Sequence, residues 1–174
     1  MSLQRLLVIS LLVLISGCSN YQYKTYAVDV GDPAISVLDL SDGTADAPVV
    51  YFDTVRYRSL GIPFHRLLLA TRADGERLPF AGKRSILDYS GYQAIRMNPG
   101  QHSLEWCWVS MNALGSGGGT CGFGVSDLDL EAGKNYLVTW SAATKIEGTL
   151  ERQQTTIRIN SFIIDRDKQE QVYP

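Results

Sequence analysis

From Ile35 to Asp165 the chain never sustains an amphipathic helical pattern over three turns. Instead, short β-branched and aromatic runs alternate with clusters of Gly, Pro, Asn and Asp. Such runs bury one face of a strand, and the breaks between them are turns by chemistry. The candidate strands are residues 35–40, 49–57, 92–97, 102–109, 123–130, 135–142 and 150–160, with a final apolar piece at 161–165. Residues 64–71 fit a strand or a short helical run. Many short strands separated by turn signals predict an all-β fold, an antiparallel β-sandwich or partly open barrel of about seven to nine strands.

The N-terminus carries a different signal. Met1 to Arg5 form a short charged head, Leu6 to Ile15 are apolar, and Ile15-Ser16-Gly17-Cys18 follows. The apolar stretch is too short to cross a hydrocarbon core, which needs about 20 residues. Its three-part layout is that of a leader peptide. The four residues ending at Cys18 resemble a bacterial lipobox. That resemblance implies a signal peptide over 1–17, cleavage before Cys18, and acylation of Cys18 with chains such as palmitate. In such lipoproteins an Asp after the cysteine commonly retains the protein in the inner membrane. Ser19 therefore points to the outer membrane, facing the periplasm. The competing reading is an ordinary secretory leader.

Removing seventeen residues from 174 leaves 157, enough for one domain with a real core. The expected organisation is a lipidated tether over 18–34, a sandwich over 35–165, and a charged, frayed tail over 166–174. Without Arg5 the chain keeps fifteen basic against eighteen acidic residues. That balance disfavours nucleic acid, whose phosphates call for clustered Lys and Arg. Of the three cysteines, Cys107 and Cys121 remain once Cys18 is lipidated. An even pair in an oxidising compartment predicts a disulfide, and closing a loop of about 15 residues is worth roughly 3 kcal/mol in the chain-entropy model. A zinc site would need two further ligands, and the chain has only His65 and His102.

Two turns carry a further resemblance. Ile95-Arg96-Met97-Asn98-Pro99-Gly100-Gln101-His102-Ser103-Leu104 reads as a hairpin in which Ile95 faces Leu104 and Met97 faces His102. Leu128-Asp129-Leu130-Glu131-Ala132-Gly133-Lys134-Asn135-Tyr136 reads as a second tight turn. Together they resemble the Pro-Gly-x-His hairpin and Ala-Gly-Lys-x-Tyr turn of PEGA-like domains in small bacterial envelope lipoproteins. The resemblance covers about 45 residues and implies architecture; no catalytic residue carries over with it.

Candidate chemistry is sparse. Gly115 to Gly119 lacks the Lys-Ser or Lys-Thr of a phosphate loop and reads as a flexible loop stapled by the cysteines. Alternation puts His102, Leu104, Trp106 and Trp108 on one strand face and Cys107 on the other, which separates His102 from Cys107. Asp127 and Asp129 share a face opposite Leu128 and Leu130, as on a half-solvated strand. Trp106, Trp108 and Trp140, with Tyr136, form either an inner core layer or an aromatic platform for sugar rings. The functional expectation is a non-catalytic binding or scaffolding lipoprotein, without metal or cofactor, attached to the membrane by lipid and working with an envelope protein. The alternatives are a carbohydrate- or peptidoglycan-binding lipoprotein that uses exposed aromatics and, less favoured, a small hydrolase.

Overall fold

The computed structural model describes residues 24–26, 37–59, 62–79, 91–112, 117–149 and 152–173. Among them every regular element is a strand. In chain order these are β1 (Lys24–Tyr26), β2 (Val37–Asp39), β3 (Val49–Phe52), β4 (Thr54–Ser59), β5 (Ile62–Ala73), β6 (Glu76–Arg77), β7 (Ala94–Arg96), β8 (Gly100–Asn112), β9 (Gly117–Leu130), β10 (Asn135–Thr149), β11 (Arg152–Asp165) and β12 (Glu170–Tyr173). They form two packed sheets. The front sheet runs β1-β4-β5-β8-β9, with β6 paired to β5, and the back sheet runs β12-β11-β10-β3-β7-β2. The all-β sandwich expected from the strand rhythm is present. It has more strands than expected, several of them long, and two back-sheet pairs (β10 with β3, β2 with β7) are parallel.

The extra strands arise where the chain changes sheet. Residues 49–57 read as one strand, but the run divides at Asp53, with β3 in the back sheet and β4 in the front. The Asp53 amide donates to Val138 O at 2.9 Å, and its carbonyl accepts from Leu68 N at 2.9 Å. One residue thus bonds into both sheets. The Asp74-Gly75 turn joins β5 to β6 with φ of 51° and 77°, as a two-residue hairpin requires.

The Pro99-Gly100 turn is not a hairpin. β7 lies in the back sheet, both its edges filled by β3 and β2, so Ile95 pairs with Val50 and Leu38. β8 lies in the front sheet between β5 and β9. Ile95 and Leu104 therefore meet as core residues from opposite sheets, and the Met97 amide donates to Pro48 O at 3.1 Å. A Pro-Gly turn of this kind splays its flanking strands, which suits a corner between layers.

Three other boundaries move. β1 falls within the segment expected to be tether. The charged C-terminal stretch contains β12, paired with the end of β11, and Tyr173 packs on the core where a frayed tail was expected. The Asp165 carboxylate makes this return tight by accepting from the Asp167 and Lys168 amides at 2.8 and 3.1 Å. Gly117, Gly118 and Gly119 are strand residues opposite Met111, Ser110 and Val109, where a loop was expected. Gly115, the leader and Cys18 lie outside the described residues.

The core fills the space between the sheets. Leu68, Ala70, Leu104 and Trp106 come from the front, and Val50, Phe52, Val138 and Ile163 from the back. The Phe52 and Trp106 rings meet at 6.1 Å, tilted by 57°, a favourable aromatic arrangement.

Candidate functional site

The outer face of the front sheet is unusual for a face that alternation assigns to solvent. Leu67 and Leu69 on β5 stand opposite Val109 and Cys107 on β8, and Cys107 stands opposite Cys121 on β9. Leu69, Cys107 and Val109 are buried there as a cluster separate from the main core, with Leu67 packed beside it. Cys107 and Cys121 form a disulfide between directly opposed residues, 14 apart in sequence, with Cα atoms 4.0 Å apart. The cysteine pairing read from the sequence thus becomes a rung across two neighbouring strands.

A cleft of about 560 Å³ lies over this apolar floor. One wall comes from the chain leaving β6. Leu78 N donates to Thr71 O at 2.9 Å, which carries Leu78 and Pro79 along the side of the floor. The other wall is Gly91, where the returning chain bonds Tyr92 to Ala70. A Cβ at Gly91 would stand 2.7 Å from the Leu69 Cβ, so this close approach requires glycine. Among the described lining residues the charged ones are Arg72 and Arg77. Arg72 sits 3.7 Å from Glu105, and both side chains are half-exposed. The cleft is therefore an apolar pocket with a cationic rim, of a size that holds a small ligand or a side chain of a partner.

The residues singled out from sequence occupy other places. Trp106 is buried, 1% exposed, and presents no ring face to solvent. Trp108 and Trp140 are partly buried and packed against the same core. Trp106 is thus a core side chain held between the two sheets, while Trp108 and Trp140 pack against that core and stay partly exposed. Asp127 and Asp129 are exposed while Leu128 and Leu130 are buried, as the alternation requires.

His102 has partners that sequence spacing did not reveal. Its Nδ1 lies 2.9 Å from Asp74 Oδ2, and its Nε2 lies 2.9 Å from Asn98 O. Asp74 also accepts from Ser103 N at 2.9 Å. A His-Asp pair suggests general-base chemistry, but here the second nitrogen is taken by a backbone carbonyl. Both nitrogens thus lie against protein oxygens, and the arrangement ties the β5–β6 turn to the corner before β8.

Asp53 is a buried acid at the change of sheet. Its Oδ2 accepts from Thr139 Oγ1 at 2.7 Å, and Oδ1 is buried without a hydrogen-bond partner. Burial raises its carboxyl above the ordinary range, against the opposing effect of the Thr139 and Thr54 hydrogen bonds. Beside it Gln93 Nε2 donates to the buried Thr54 Oγ1 at 2.9 Å. Asp53 lies at the sheet change, away from the cleft.

Comparison with family models, with curated proteins and with solved structures found no match.

Proposed function

We propose that this chain is a lipid-anchored binding protein of the cell envelope. Acylated Cys18 holds it at the membrane, facing the periplasm, and a partner docks at the cleft on the front sheet. The observation that carries this reading is the cleft itself. An apolar cluster on an outer sheet face, walled by a loop segment and rimmed by two arginines, is a feature that binding uses and sandwich stability does not require. A non-catalytic role is supported by two placements. His102 has both ring nitrogens engaged, and the Cys107 sulfur is bonded to Cys121.

Two measurements test this. Intact-mass analysis of the protein purified from its native envelope should give a chain that begins at acylated Cys18; an unmodified cysteine behind an uncleaved leader rejects the anchor. Site-specific photocrosslinking in that envelope tests the cleft. A probe at Arg77 should give a discrete adduct that a probe at Glu170, on the far edge of the back sheet, does not. Identical patterns from both positions, or no adduct from the cleft, reject it as the binding surface.

A further inference from the structure

We propose that the front-sheet cleft takes a fatty acid, with its hydrocarbon chain on the apolar floor and its carboxylate between Arg72 and Arg77. The inference rests on the reading of the cleft as a binding surface and names the class of its ligand. Three placements support it.

The first is the order of the floor. Leu69, Cys107 and Cys121 stand in one row across β5, β8 and β9, and Leu67 and Val109 form the next row. At the other end of the cleft the row changes to charge. Arg77 on β6 stands directly opposite Arg72 on β5, and Arg72 directly opposite Glu105 on β8. From Leu67 to Arg72 the face runs roughly 15 Å, at about 3.3 Å per residue. A ligand lying along β5 thus meets an apolar surface over most of its length and cations at one end.

The second is the balance of that charged row. Like charges directly opposed across an antiparallel pair are destabilising. Glu105, 3.7 Å from Arg72, offsets one of the two arginines. The neighbouring acids are directed elsewhere. Glu76 stands opposite the buried Ala73, which puts it on the other face of β6 from Arg77. Asp74 accepts from the Ser103 amide and lies against His102. Residues 80–90 lie outside the described residues, and their sequence holds Lys83 and Arg84 against Asp88, so by count they add no net negative charge. Two cations against one anion call for one further negative charge, which is what a carboxylate carries. Guanidinium groups bind a carboxylate through paired N–H donors.

The third is what the cleft does not offer to the body of a ligand. Among the described lining residues Thr71 is the one uncharged side chain with a hydroxyl or amide, and that hydroxyl donates to Glu105 O at 3.2 Å. Backbone groups along the walls are taken within the protein, Leu78 N by Thr71 O and Ala70 N by Tyr92 O. A peptide or sugar in the cleft would bury amides or hydroxyls without partners, at a cost that a hydrocarbon chain avoids.

The test uses the mature chain 18–174 carrying Cys18→Ser, which contains every described strand. Calorimetric titration compares decanoate, decanol and a trileucine peptide with a free C-terminus. We expect decanoate to bind one site roughly tenfold or more tightly than decanol, since charge-assisted hydrogen bonds hold only the acid. Arg77→Gln should remove most of that preference, and Lys168→Gln, on the exposed β11–β12 turn, should leave it intact. If Arg77→Gln fails to fold, the comparison of the three ligands on the Cys18→Ser chain decides the matter. Decanol binding as tightly as decanoate, a preference that survives Arg77→Gln, or trileucine binding more tightly than decanoate overturns the proposal. A protein adduct at Arg77 in the envelope without decanoate binding also overturns it, and leaves the cleft standing as a docking surface. Decanoate binding without such an adduct upholds the fatty-acid site and sets aside a protein partner there.

Discussion

The indole nitrogen of Trp106, on β8 of the front sheet, donates to Ser161 Oγ, on β11 of the back sheet, at 2.9 Å. Ser161 Oγ in turn donates to Thr139 O at 3.0 Å. The largest ring of the core is thus satisfied by the opposite layer, and the contact fixes how the two sheets sit on each other. Ser161→Ala should leave the buried indole N–H without a partner, at a cost of about 1–3 kcal/mol. Urea denaturation of the single variant measures this. A double-mutant cycle with Trp106→Phe should show the cost of Ser161→Ala shrinking once the indole is gone. An unchanged cost means the hydrogen bond does not tie the sheets.

Close strand pairing at the β8–β9 end makes a contrast between neighbouring glycines. A Cβ at Gly119 would stand 2.8 Å from Trp108 O, whereas one at Gly118 meets nothing within 4 Å. Gly119→Ala should destabilise by about 1–3 kcal/mol, and Gly118→Ala should stay within roughly 0.5 kcal/mol of the parent. Thermal melts of the two variants decide this. Equal effects would remove the steric account.

The disulfide joins strands that already pair, and the half of β9 beside it is built from Gly117, Gly118, Gly119 and Thr120. Few side chains hold that end to the sheet. Replacing both cysteines by alanine should cost about 3 kcal/mol. Amide exchange should quicken more at 117–121 than at 125–130, whose Val125, Leu128 and Leu130 are buried. Uniform quickening across β9 contradicts a local staple.

Asp53 and Asp165 should respond to pH in opposite senses. Burial raises the Asp53 carboxyl in the folded state. Its contribution is favourable below the ordinary Asp value near 3.9 and is lost as pH rises through the raised folded value. Asp53→Asn removes that loss, so it should cost less at neutral pH than in acid. Asp165 is lowered chiefly by the Lys168 amide, against burial and with help from the Asp167 amide and the nearby lysines. Its contribution is present above the ordinary value and is lost as pH falls through the lowered one. Asp165→Asn should therefore destabilise at neutral pH and converge on the parent in acid. Denaturation midpoints across pH for both variants test the two signs, and parallel curves for either would reject its assignment.

Local chemistry alone determined the strand character of this chain, the faces of its strands and several of its turns. The alternation of Asp127 and Asp129 with Leu128 and Leu130 specifies an inside and an outside wherever the strand is placed, because side chains alternate by two. Asp74-Gly75 specifies its hairpin through positive φ, and the cysteine count pointed to the Cys107–Cys121 pair that the structure joins. Tertiary structure decided the neighbours. Nothing near Asp53 announces that the chain changes sheet there, since Val49–Phe52 and Thr54–Ser59 are equally strand-like. The Pro99-Gly100 turn became a corner because both edges of β7 were already taken by β2 and β3, segments more than forty residues upstream. The Asp74–His102 pair and the cleft bring together residues that no short window contains. Periodicity fixes which way a side chain points, whereas pairing is settled by competition among all strands to bury their faces and fill their edges.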